Sequence, residues 1–195
     1  VPLVEAFVYS HRFAGTHLRM SLISRGGIRW SDRLEDYRTE VLGLMHAQQL
    51  KNAVIVPDGA KGVYVPKLLT EQMSKDEYYA EGQACYQLFV ESILSICDNY
   101  SRGEVKRADG LKVYDDDDTY FVVAADKGTA TFSDAANQIA YSRDYWLGET
   151  FEQELRDLRR TSGNLVGLIA GIGLSGSATT TAPNVMKGQQ TREAC

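Results

Sequence analysis

Two lysines, Lys51 and Lys61, and one aspartate, Asp126, have surroundings that suit them for proton chemistry. The lysines stand either side of a short β-branched run, Ala53-Val54-Ile55-Val56, which reads as a buried strand. Pro57-Asp58-Gly59-Ala60 then reads as a turn, with Lys61-Gly62 directly after it. An ammonium held where a strand leaves a sheet is partly desolvated. Desolvation lowers its pKa from about 10.4 toward neutrality, as an amine acting as acid and base requires. The competing reading is a pair of surface lysines with their stems laid over apolar neighbours. Asp126 ends a second apolar run, residues 120–125, and open α/β sheets carry their ligands at the carboxyl ends of strands.

Other reactive side chains lack partners at useful spacing. His11, His17 and His46 are too scattered for a triad or a metal site, and Ser31 and Ser133 have no nucleophile elbow or adjacent base. Cys85 and Cys97 fall in an apolar helical pattern and Cys195 is terminal, with no CxxC, so buried free thiols are expected rather than disulfides or metal ligands. Asp115-Asp116-Asp117-Asp118 could attract a cation, but without EF-hand spacing it reads as an unordered acidic loop. No metal site is expected.

The elements that would position these residues follow from periodicity. Strands are expected over residues 4–9 and 16–23, with Arg25-Gly26-Gly27 as a turn whose glycines allow positive φ or close approach of a ligand. Asp32 and Glu35 have capping-box spacing for a helix over 33–50, in which Val41, Leu42, Leu44, Met45 and Leu50 form the apolar stripe. A second helix is predicted over 75–97, a polar segment over 101–118, a strand over 120–125 and a short helix over 134–141. Alternating strands and helices predict an α/β fold, a mixed sheet flanked by helices.

Composition excludes some function classes. The chain has 195 residues, 44% apolar and 24% charged, enough for one good core. A net charge of −5 without any basic run argues against a nucleic-acid surface. The longest apolar stretch, residues 165–174, is broken by glycines and too short to span a bilayer. Without a start resembling a signal peptide, the default compartment is the cytoplasm. The abrupt opening Val1-Pro2-Leu3 reads as a piece of something longer.

Three segments, Arg25-Gly26-Gly27-Ile28-Arg29-Trp30-Ser31-Asp32-Arg33, Lys51-Asn52-Ala53-Val54-Ile55-Val56-Pro57 and Gly59-Ala60-Lys61-Gly62, resemble the amino-acid dehydrogenases. They are most similar to the large, NAD-dependent glutamate dehydrogenases. A fourth segment, Val122-Val123-Ala124-Ala125-Asp126-Lys127-Gly128-Thr129-Ala130-Thr131-Phe132-Ser133-Asp134, follows in the family's order. The resemblance covers roughly residues 3–150, and it implies a substrate-binding and catalytic domain over 1–150. Residues 151–195 are a divergent tail. There, Gly171, Gly173 and Gly176 formally fit GxGxxG, but Thr179-Thr180-Thr181 and Pro183 make a poor helix behind them, so a complete nucleotide domain is not expected.

The resemblance implies reversible oxidative deamination of L-glutamate to 2-oxoglutarate and ammonia, with NAD as cofactor, within amino-acid catabolism. It also implies a homo-oligomeric full-length enzyme with no nucleic-acid or membrane partner. Lys61 falls on the family's catalytic lysine, which activates water and stabilises the developing oxyanion. Asp126 falls on the aspartate that exchanges protons with the amino group. Lys51 matches a lysine that holds the substrate's α-carboxylate. Arg25, Gly26 and Gly27 align with a substrate-recognition segment that has lysine in the smaller dehydrogenases, and an arginine can grip the distal carboxylate bidentately. Val63 departs from the family's second glycine and would be strained if that site needs positive φ. Asp58 would add negative charge near Lys61 and raise its pKa. Two other readings stay open: a non-catalytic ligand-binding or assembly module, and a dehydrogenase of another amino acid. As a fragment lacking the cofactor half, the chain alone is expected to be inactive.

Overall fold

The computed structural model describes residues 1–51 and 58–147; the side chains of residues 48–51 and 133 lie outside that description. Among the described residues seven strands and three helices occur in chain order: β1 (Val4–Tyr9), β2 (Phe13–Arg19), β3 (Ser24–Trp30), α1 (Tyr37–Lys51), β4 (Asp58–Pro66), α2 (Lys75–Ile96), β5 (Asn99–Ser101), β6 (Glu104–Lys106), β7 (Val122–Ala125) and α3 (Ser133–Ser142). The main sheet runs β1-β2-β4-β3-β7, and β5-β6 is a separate hairpin. β1, β2 and β4 pair antiparallel, whereas β4, β3 and β7 are parallel, so the sheet is mixed. Parallel neighbours need a crossover. α1 lies between β3 and β4 in the chain, and α2 between β4 and β7.

Strand side chains alternate between faces, and the two faces have different cores. Ile28, Tyr64, Phe13, Phe121 and Val123 pack with Tyr86 and Phe89 of α2 and with Phe132, Ala136 and Ala140 at α3. On the opposite face Leu18 and Val63 pack on Val41 and Met45 of α1. α2 starts where Ser74 accepts from the Glu77 amide and Glu77 accepts from the Ser74 amide, a reciprocal cap that satisfies two orphan donors. Among the described residues, no helix is long and apolar enough to cross a membrane.

Several expectations need correction. Arg25-Gly26-Gly27 is not a turn: all three residues lie inside β3 and pair with β7, and Arg25 also pairs with Gly59 of β4. Asp58-Gly59-Ala60 likewise opens β4, and Lys61 stands inside that nine-residue strand rather than after a turn. The strand expected at 53–56 lies outside the described residues. α1 starts at Tyr37, not 33, because the Arg33 amide bonds the Ser31 hydroxyl and 34–36 form turns. Val63 is not strained: it is a fully buried β4 residue and is not among the described residues with positive φ. The acidic run is not uniformly unordered, since Asp118 is buried against Arg19 in a two-point ion pair (Nη1 to Oδ1 2.9 Å).

Candidate active site

The face of the sheet under α1 gathers Arg25, Arg29, Lys61 and Asp126. Parallel pairing puts Arg25 beside Gly59 and Val122, so Arg25, Gly27 and Arg29 share a side with Lys61 and with Asp126, just past the end of β7. Lys61 Nζ is ion-paired with Asp126 Oδ2, their side chains 17% and 11% exposed. The other carboxylate oxygen, Oδ1, accepts from the Lys127 amide at 2.7 Å and faces Arg29 Nη2 at 3.4 Å. The turn carrying Asp126 is pinned in turn. The Asp126 amide bonds Thr129 Oγ1 at 3.1 Å, and that hydroxyl donates to the Ile28 carbonyl at 2.7 Å. Burial pulls the Asp126 carboxyl upward, but the Lys61 ammonium, the Lys127 amide and Arg29 outweigh it and hold it below its ordinary value.

The two glycines of β3 are there for space. A Cβ on Gly27 would lie 2.8 Å from Asp126 Cβ and 3.2 Å from its Oδ2, so only a bare backbone lets the carboxylate cross β3 to Lys61. A Cβ on Gly26 would lie 1.6 Å from the Ala60 carbonyl oxygen, so that glycine permits the β3–β4 approach itself.

Of the residues expected from the sequence, Lys61, Asp126 and Gly27 come together. Gly26 underlies the strand pair. Arg25 shares the face but sits near the start of β3, level with Val122, about 13 Å along the strand from Asp126 at 3.3 Å per residue. Lys51 closes α1, and its side chain, like Gly171, Gly173 and Gly176, is outside the description. Asp58 opens β4 three residues from Lys61, about 10 Å along the strand, and the carboxylate that meets Lys61 is Asp126. Sequence reasoning missed Arg29, Glu40 and Ser31. Glu40 of α1 accepts from Arg29 Nη1 at 3.1 Å and from Ser31 Oγ at 2.7 Å. Their signal was period-two spacing from Gly27 to Arg29, on Lys61's own face. Among the described residues no group of three or more His, Cys, Asp or Glu side chains is placed to hold a metal ion.

A lysine inside β4 and a carboxylate just past the C-terminal end of β7, paired and mostly shielded from water, match the arrangement required for proton exchange on a small polar substrate. Residues 1–154 match the model of the bacterial NAD-glutamate dehydrogenase catalytic domain. The chain belongs to that family. It is 58% identical over 151 residues to the NAD-specific glutamate dehydrogenase of Pseudomonas aeruginosa, and 54% over 150 residues to that of Halomonas elongata. Each match covers 77% of this chain and 9% of the relative. Against the Mycobacterium tuberculosis protein of the same name, identity is 52% over 163 residues, covering 77% of this chain and 10% of that one. The chain thus spans about a tenth of the length of these relatives.

The described residues do not fit a dinucleotide. Gly103 and Gly110, both at positive φ, lie in the β5–β6 hairpin and the loop after it, away from any turn from strand into helix. Gly128 follows β7, but the space beside its Cα is filled by Trp30, 2.9 Å from where a Cβ would be.

Proposed function

We propose that this chain supplies the glutamate-binding and acid–base part of an NAD-dependent glutamate dehydrogenase, in a domain of the kind that binds substrate in amino-acid dehydrogenases. In the balanced reaction, L-glutamate, water and NAD⁺ give 2-oxoglutarate, ammonium, NADH and a proton. The hydride acceptor would be NAD, which residues other than those described would have to hold. The observation that carries the reading is the Lys61–Asp126 pair, shielded under α1 on a face shared with Arg25.

Each residue has work that its chemistry allows. Lys61, a point charge with three donors, polarises the attacking water and neutralises charge developing on its oxygen. Asp126, ionised and hydrogen-bonded, takes a proton from the substrate ammonium and returns it to the departing amine. Arg25 offers a guanidinium for the distal carboxylate, and Lys51 an ammonium for the α-carboxylate. Residues 1–150 make up this domain, with 151–195 a divergent tail.

Lys61→Ala in the full-length enzyme tests the reading. Turnover is expected to fall about 100-fold to 10,000-fold, the usual range for losing a general acid–base group, with the protein still folded. Near-normal turnover would remove Lys61 from the mechanism and favour a binding or assembly role for the domain.

A further inference from the structure

We propose that Arg29 and Glu40 are positioning residues for Asp126: a tether from α1 through β3 that holds the carboxylate in reach of Lys61 and keeps Arg29 from closing on it. The inference rests on the role given to Asp126 above. Glu40 stands in the first turn of α1, where its carboxylate bridges Arg29 Nη1 (3.1 Å) and Ser31 Oγ (2.7 Å). Arg29 turns its other terminal nitrogen to Asp126 Oδ1, at 3.4 Å. That contact is long for a charge-assisted bond, which normally closes to about 2.7–2.9 Å. The guanidinium is thus drawn toward Glu40 and touches Asp126 only loosely. Its Nε is buried without a hydrogen-bond partner among the described residues, so Glu40 provides its shorter anchor.

The arrangement has a chemical purpose. A guanidinium bound bidentately to Asp126 would stabilise its charge and weaken it as a base. Removed altogether, it would leave Oδ1 with one amide and let the carboxylate turn from Lys61. Held back by Glu40, it orients the carboxylate while giving up part of its charge to a second partner. Among the described residues, the charged groups facing Asp126 from the packed elements are Lys61 of β4 and Arg29 of β3, with Glu40 of α1 behind Arg29. The Lys127 amide adds a neutral donor. Against the upward pull of burial, Lys61, the Lys127 amide and Arg29 together hold the carboxyl below its ordinary value.

The two variants therefore shift the carboxylate in opposite directions. Glu40→Gln removes a negative charge and frees Arg29 to close on Asp126; both effects lower its pKa. Arg29→Gln removes a positive charge and raises it. In the full-length enzyme, the acidic limb of the kcat/KM profile against pH is expected to move down by about half a unit to one unit in Glu40→Gln and up by a similar amount in Arg29→Gln. At neutral pH, kcat should fall about tenfold in each, with KM for glutamate within about twofold. Glu40→Asp, which keeps the charge but withdraws it by one methylene, should move the limb down by less, and it carries the test should Glu40→Gln fail to fold. Limbs that stay at the wild-type pH, or that move in one direction in both variants, would overturn the tether. Asp126→Asn run in parallel separates the two claims. A wild-type rate there defeats the role of Asp126 itself. Loss of rate there with unmoved limbs in the Glu40 and Arg29 variants defeats the tether alone.

Discussion

Gly27→Ala is the smallest change that should disable the site without replacing a charged side chain. The added methyl would lie 2.8 Å from Asp126 Cβ and 2.9 Å from the Ala125 carbonyl oxygen. Carbon–carbon contacts settle at about 3.5–4.0 Å, so the overlap is about 0.7–1.2 Å. Neither neighbour is the free end of a flexible side chain, so the end of β7 must retreat by about that distance. A displacement of about 1 Å at a reacting group costs up to about 100-fold. We therefore expect kcat/KM of the full-length enzyme, followed by NADH formation, to fall about 10-fold to 100-fold, or about 1.4–2.7 kcal/mol of transition-state stabilisation. Stability should fall by about 1–3 kcal/mol, the ordinary cost of overpacking. Gly26→Ala should behave differently, because its methyl would meet the Ala60 carbonyl and break the β3–β4 pair, so folding suffers first. A Gly27→Ala enzyme with wild-type kcat/KM would refute the claim that Asp126 must lie over this strand.

Two further predictions concern buried charge on the opposite face. Asp118→Ala strands the Arg19 guanidinium, whose side chain is 5% exposed, and should cost about 3–5 kcal/mol in urea denaturation; a loss under about 1 kcal/mol would contradict the pairing. His17 is fully buried against Phe121, and burial, with Arg19 nearby, pushes its pKa down to about 3. The unfolded chain, with a histidine near 6.5, binds the proton first, so the stability from a neutral His17 is complete above about pH 6.5 and is lost as pH falls toward 3. Between pH 7 and pH 5 that loss is about 2 kcal/mol, and His17→Gln should flatten it; an unchanged pH dependence in the variant would refute the assignment.

Some of this molecule was legible in the sequence because a local signal was strong. β1 and α2 follow alternation and helical spacing closely, and α2 also has the Ser74–Glu77 cap. Glycine misled where it served packing rather than turning. Gly26 and Gly27 read as punctuation, yet they lie in a strand and make way for the Ala60 carbonyl and for Asp126. The Asp32–Glu35 spacing gave a helix start four residues early, because Ser31 is engaged with Glu40 and with the Arg33 amide. Contacts between distant residues left no local trace. Arg19 meets Asp118 across 99 residues, and Arg29 meets Asp126 across 97. Glu40 looks like an ordinary solvated position on α1 until the helix folds back over β3.

The central claim, that the carboxylate beside Lys61 exchanges the substrate's proton, is tested most directly by Asp126→Asn in the full-length enzyme. The amide keeps the shape and can still meet Arg29 through its carbonyl, but it cannot take the proton. Affinity for 2-oxoglutarate, measured by calorimetric titration, should stay within about threefold. Turnover should fall about 100-fold to 10,000-fold, and the acidic limb of the kcat/KM profile should disappear. A variant that keeps both the wild-type rate and the wild-type limb would contradict the account.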